Sequence, residues 1–176
     1  LQRIETKYGI YESVFSYIPD LIAFREVPPI LEAISQLDTI PDLYIVDGYG
    51  CNHPRRFGIA CHLGIITDTT TIGISKSCLY GIDNNGIVYQ DEEVYEWSNE
   101  ARMAAIQLGL NIDTNTKIYP SEVGRQINGY YISIGNKIDL DKSEEVGRYI
   151  LKNNKSILTS VHEECNRYKE QCGSIV

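Results

Sequence analysis

A chain of 176 residues, 43% of them hydrophobic and carrying a formal charge of −8, is long enough to bury one substantial core, so a single domain over residues 1–176 is expected. No apolar run approaches the length of a membrane-spanning helix, and no basic segment leads into an apolar stretch at the start; neither a membrane span nor a secretory signal is expected, which points to an intracellular protein of the cytoplasm or nucleus. Five cysteines, Cys51, Cys61, Cys78, Cys165 and Cys172, contain no Cys-x-x-Cys pair, and an odd, scattered set suits free thiols in a reducing compartment.

The acidic balance argues against tight non-specific binding to a nucleic-acid duplex, because that affinity comes from counterions released around Lys and Arg clusters. It is compatible with a metal-assisted site, which must itself be acidic. A local rim of Arg25, Arg55, Arg56, Lys76 and Lys137 can steer a negatively charged strand towards it.

Residues 1–7 and 10–14 mix aliphatic and polar side chains around Gly9 and read as strand or extended chain. Pro28 and Pro29 suit the first turn of a helix, and Ile30, Leu31, Ile34 and Leu37 then recur at helical spacing before Pro41. Leu43-Tyr44-Ile45-Val46 is a short apolar run ending in Asp47-Gly48, the pattern of a buried strand. Its C-terminal end presents a carboxylate where open α/β sheets place their ligands. Phe57, Ile59, Ala60, Leu63, Ile65 and Ile66 predict a mostly apolar helix, and residues 70–74 a second buried strand ending at Lys76. Strand, helix, strand implies a right-handed parallel crossover, so Asp47 and Lys76 should emerge on the same side of neighbouring strands.

Residues 81–100 are polar, with Asn84-Asn85-Gly86 as a turn and Asp91-Glu92-Glu93 as a charge run, and read as a surface excursion or a helix dock. A short helix is expected around 101–108, a strand over 130–134 closing on Gly135-Asn136-Lys137, and a helix over 140–153. Val161, Cys165, Tyr168 and Cys172 then follow at spacings of three and four, which predicts a final amphipathic helix.

Four motifs stand in order along the chain: Tyr17-Ile18-Pro19, Phe24-Arg25-Glu26, Val46-Asp47-Gly48-Tyr49-Gly50 followed by His53-Pro54-Arg55-Arg56, and Ile72-Gly73-Ile74-Ser75-Lys76. Together they resemble the endonuclease V family of inosine-directed nucleases. The resemblance implies an α/β fold, a ribonuclease H-like mixed sheet flanked by helices. It also implies a metal-dependent endonuclease that hydrolyses the second phosphodiester bond 3′ to inosine in RNA or DNA. The expected cofactor is Mg²⁺, for which Mn²⁺ can substitute, and the expected partner is an inosine-containing single strand, bound by a monomer.

On the same resemblance Glu26 and Asp47 become the metal ligands and Lys76 the cation that contacts the scissile phosphate or positions the attacking water. Two carboxylates suit Mg²⁺, which keeps waters and substrate oxygens in its shell. Tyr17, Ile18 and Pro19 match the family's wedge, whose aromatic face and rigid proline replace the stacking that a displaced base loses. Gly48, Gly50, His53 and Arg55 match its glycine-rich strand-binding loop. Taken one at a time these residues have blander readings: a helix-start carboxylate, an Asp-Gly turn, a surface lysine, a half-buried tyrosine. His62, inside an apolar helix, reads as a packed core residue, and Cys51, His53, Cys61 and His62 do not fit zinc-ligand spacings.

The chain departs from the family pattern at three places. Asp20 stands where a glycine is common. Ser133-Ile134-Gly135-Asn136 stands where the family has serine-x-glycine-histidine; Asn136 can offer a neutral oxygen to a metal or nucleic acid but cannot move a proton. The family's leading aspartate, on a strand before the wedge, has no counterpart, so the chain is expected to be N-terminally incomplete relative to the family. The alternative expectation is therefore a catalytically weakened homologue that still binds inosine-containing nucleic acid.

Overall fold

The computed structural model describes residues 2–90, 103–104, 106–109, 121–153 and 157–173. In chain order its elements are α1 (Ala23–Ser35), β1 (Leu43–Asp47), α2 (Ile59–Thr67), β2 (Thr70–Ser75), β3 (Ile82–Asn84), β4 (Ile87–Tyr89), β5 (Glu122–Ile127), β6 (Tyr130–Asn136), α3 (Leu140–Asn153) and α4 (Ile157–Cys172). The strands form one mixed sheet in the order β1-β2-β6-β5-β4-β3. β1 and β2 are parallel, with Leu43 opposite Thr70 and Asp47 opposite Ile74, and every other pairing is antiparallel. Among the described residues β1 therefore ends the sheet, with no strand on its other side.

Helices cover both faces, which is why β1 and β2 read as nearly continuous apolar runs. On one face Ala23 and Val27 of α1 and Ile59, Ala60 and Leu63 of α2 pack with Val46 and Tyr44. On the other, Ile72, Ile74, Ile127 and Ile132 pack with Leu151 of α3 and Leu158 of α4, beside Leu43 and Ile45. Each fully buried Ile or Leu here contributes about 1.5–3 kcal/mol by leaving water. Gly147 lets α3 lie directly on β6: a Cβ there would fall 2.0 Å from Ile132 Cδ1.

The ribonuclease H-like mixed sheet flanked by helices and the parallel crossover are present as expected. Four local readings need correction. α1 begins at Ala23, so Pro28 and Pro29 lie inside it; the missing proline N–H groups leave two carbonyls of the preceding turn without helical donors. The burial of Ala23 and Val27 against α2 outweighs that preference. Residues 2–22 form no strand and include a turn at 19–20. Asn85 and Gly86, both at positive φ, do form a turn, yet it joins β3 to β4, which add to the sheet. β5 was not foreseen, although its turn into β6 uses Asn128 (φ 51) and Gly129 (φ 84) in the same way. The charge run at 91–93 falls outside the described residues, as do 101, 102 and 105 of the helix expected at 101–108, of which 103, 104, 106 and 107 are helical.

Candidate active site

The crossover brings Asp47 and Lys76 to one edge of the sheet: Asp47 closes β1 opposite Ile74, and Lys76 follows Ser75 at the end of β2. Glu26 arrives from α1. Alternation puts Asp47 on the face of β1 shared with Leu43 and Ile45, whereas α1 lies over the other face; even so, the Asp47 charge reaches Glu26. Burial first, and then the Asp47 charge, hold the Glu26 carboxyl above the usual carboxylate range, with Lys169 of α4 opposing. Neither carboxylate has an ion pair or hydrogen bond among the described residues.

That like-charge pair is a donor set suited to a hard divalent cation, with acceptors only and no cation fixed on either group. No group of three metal-ligating side chains converges among the described residues. Lys76 is exposed and, among the described residues, has no carboxylate partner, leaving its ammonium available at the same edge.

Asn136 lies elsewhere. It pairs with Thr71, at the start of β2, whereas Asp47 pairs with Ile74 on the opposite side of β2. The separation is about 10 Å along the strands and two interstrand spacings of about 4.8 Å across them. The Asn136 amide donates to the carbonyls of Gly64 (2.9 Å) and Thr69 (3.1 Å), fastening α2 to β6. That position does not suit the expectation that Asn136 completes the shell around Glu26 and Asp47: register, which one strand's sequence does not reveal, sends it to the far end of β2.

The wedge residues Tyr17, Ile18 and Pro19 are exposed, Tyr17 by 66%. Asp20 adopts a φ of 63°, the left-handed region glycine occupies without strain, which gives a backbone reason for glycine being common there. The same Asp20 faces His53: its charge and its backbone favour the protonated ring, while burial, the larger influence, lowers the His53 pKa. The wedge and the loop after β1 are thus one assembly. His53 is buried, and its Nδ1 accepts the Arg55 N–H at 3.2 Å, so it organises the loop and Arg55 remains on the surface.

Gly48 and Gly50 have packing reasons. Gly48 N–H donates to Ile74 O at 3.0 Å, and the loop then crosses β2 and β6, where Gly50 N–H donates to Ser133 Oγ at 2.8 Å. Of the anticipated basic rim, Lys137 is spent on Asp68 at 2.6 Å and Arg25 donates to the Phe15 carbonyl. Arg55, Arg56 and Lys76 remain exposed. His62 stands between Phe24 (5.1 Å) and Phe57 (5.6 Å), and burial lowers its pKa, in keeping with a packed residue. All five cysteines are free. Lys169, the charge beside Glu26, was not anticipated; on an amphipathic helix one lysine looks like another.

A family model described as Endonuclease V matches residues 1–157. The chain is 40% identical over 133 residues to the endonuclease V of Gloeobacter violaceus, a match covering 74% of this chain and 48% of that protein. It is 34% identical over 156 residues to that of Desulfurococcus amylolyticus, covering 89% of this chain and 63% of the other. In three dimensions it is similar to the crystal structure of human ENDOV, at 28% identity and a TM-score of 0.51 over 76% of this chain and 57% of that one. The chain spans about half the length of the curated relatives it matches, 48%, 57% and 55% for three of them.

Proposed function

The chain belongs to the endonuclease V family, and on that premise we propose that it carries the metal-binding and base-displacing parts of a nuclease that hydrolyses the second phosphodiester bond 3′ to inosine, in single-stranded RNA or DNA. The observation that carries this reading is the pair Glu26 and Asp47, two carboxylates near enough for the Asp47 charge to raise the Glu26 pKa and neither in an ion pair among the described residues, with Lys76 leaving the same sheet edge. Glu26 and Asp47 would hold Mg²⁺ or Mn²⁺, which when bound neutralises phosphate charge and makes water a better nucleophile.

The remaining roles belong to the chain's own side chains. Lys76 stabilises negative charge as it develops on the phosphate. Tyr17 offers an exposed ring on which the base next to the displaced one can stack, and Pro19 keeps the loop stiff, offsetting an unstacking cost of a few kcal/mol. His53, held neutral by burial, fixes the loop that carries Arg55, whose cation meets the strand's backbone. Hydrolysis proceeds by direct attack of water with no covalent intermediate.

A second reading, a weakened homologue that binds inosine-containing strands without cutting them, is favoured by one observation: only two acidic ligands come together among the described residues. Single-turnover cleavage of inosine-containing single-stranded RNA and DNA with Mg²⁺ or Mn²⁺ decides between them. Cleavage that disappears in Glu26→Ala and Asp47→Ala supports the nuclease; inosine-selective binding without cleavage supports the alternative.

A further inference from the structure

Helix α4 begins where the family match ends, at residue 157, and its far half reaches the carboxylate site. A cleft of about 590 Å³ runs between α1, the extended N-terminal segment and α4, and is lined by Glu26, Tyr8, Ile10, Tyr168 and Lys169 among others. The helix is lightly held. Leu158, in its first turn, is its one buried residue among those described. Beyond that it is fastened by surface contacts to the N-terminal segment: the Tyr8 and Tyr168 rings stack at 4.0 Å, Tyr8 Oη donates to Glu164 at 3.2 Å, and Arg3 pairs with Glu164 at 2.7 Å.

Three other cations or amides could answer the Glu26 carboxylate, and the structure commits each elsewhere. Lys7 is paired with Asp38 at 3.3 Å and Glu5 at 3.4 Å. Arg25 donates to Phe15, and Asn136 is tied to α2. Lys169 lines the same cleft as Glu26 and, among the described residues, is ion-paired with no acid, Glu26 included.

We propose that Lys169 is an internal counter-ion for Glu26, acting across the cleft without a direct ion pair, and that α4 is a strap whose release of this lysine favours binding of a divalent cation. The inference rests on the metal reading given above. The cation and the ammonium compete for the same negative charge, and the helix carrying the ammonium is attached by contacts that individually contribute little at an exposed surface. Binding of the metal therefore favours the released strap, and a partner that captures α4 would raise metal affinity by the same factor.

The test is a Mn²⁺ titration of the whole chain, followed by electron paramagnetic resonance at low ionic strength. Lys169→Met should tighten the dissociation constant about two- to fivefold, the scale of an exposed ion pair, whereas Lys169→Arg and the remote Lys142→Met leave it unchanged. High salt should erase the difference, and Mn²⁺ should speed amide exchange in α4 of the wild-type chain. Equal affinities for wild type and Lys169→Met, with Glu26→Gln weakening both, overturn the strap while keeping the metal reading. Should Glu26→Gln bind Mn²⁺ as tightly as wild type, both fail.

Discussion

Gly50 and Ile134 cross so closely that a Cβ on Gly50 would lie 1.9 Å from the Ile134 carbonyl oxygen, while the next residue, Cys51, donates its N–H to that same oxygen at 2.7 Å. Neither backbone can give way without breaking the hydrogen bonds that hold the loop to β6. Gly50→Ala is expected to destabilise the protein by about 3 kcal/mol, the upper end of overpacking costs, seen as a lower urea midpoint. A loss of activity with unchanged stability would show that Gly50 serves a ligand instead.

Glu26 couples the site to pH. Its carboxyl is held above the ordinary value of 4.5 by burial and by Asp47, so the folded state takes up a proton more readily than the unfolded chain. Ionised Glu26 thus weakens the fold at neutral pH, and that penalty fades as pH falls through the raised value, vanishing below 4.5. With metal chelated, Glu26→Gln should raise the urea midpoint at neutral pH and make no difference in acid.

Tyr17 is exposed, so Tyr17→Ala should leave stability unchanged within about 0.5 kcal/mol. If its ring stacks on a base, affinity for an inosine-containing oligonucleotide falls by about 1–3 kcal/mol, and affinity for the unmodified control falls less. Fluorescence anisotropy at a single salt concentration measures both; equal losses would assign Tyr17 a structural role only.

Asn136 provides the converse case. Asn136→Ala removes the side-chain donor for the Gly64 and Thr69 carbonyls and should cost about 1–3 kcal/mol of stability. Mn²⁺ affinity should not change, because the residue sits at the other end of β2 from the carboxylates. A matched loss of metal binding, in protein confirmed as folded, would return Asn136 to the site.

The parts of this molecule legible in its sequence are those where one segment carries its own signal. The apolar runs at 43–46 and 70–74 are strands as read, the second buried and the first half-buried at the end of the sheet, and α3 spans 140–153 as its periodicity requires. α1 was misplaced because Pro28 and Pro29 mimic a first turn, while what fixes its start is the packing of Ala23 and Val27 on residues of α2. β5 escaped because Gly124 and Arg125 interrupt its apolar pattern; Arg125 is accommodated by Glu122 at 2.7 Å and Glu144 at 3.0 Å, partners invisible locally. The approach of Asp47 and Lys76 followed from topology. The removal of Asn136 depended on antiparallel register, and the arrival of Lys169 on the docking of a distant helix, neither of which a linear pattern encodes.

The tight turn at Asn128-Gly129 has a consequence for the order of assembly. Two residues at positive φ join β5 to β6, so this hairpin can close on the microsecond scale with almost no loop entropy to overcome. β6 then offers its other edge to β2, a pairing that must bring Thr71 to Asn136 across more than a third of the chain and is correspondingly slow. The hairpin is thus expected to form before β2 docks on it. Gly129→Val, which opposes the φ of 84° while meeting no neighbouring atom within 4 Å, should slow refolding in stopped-flow measurements by about the whole of its stability loss, leaving the unfolding rate nearly unchanged.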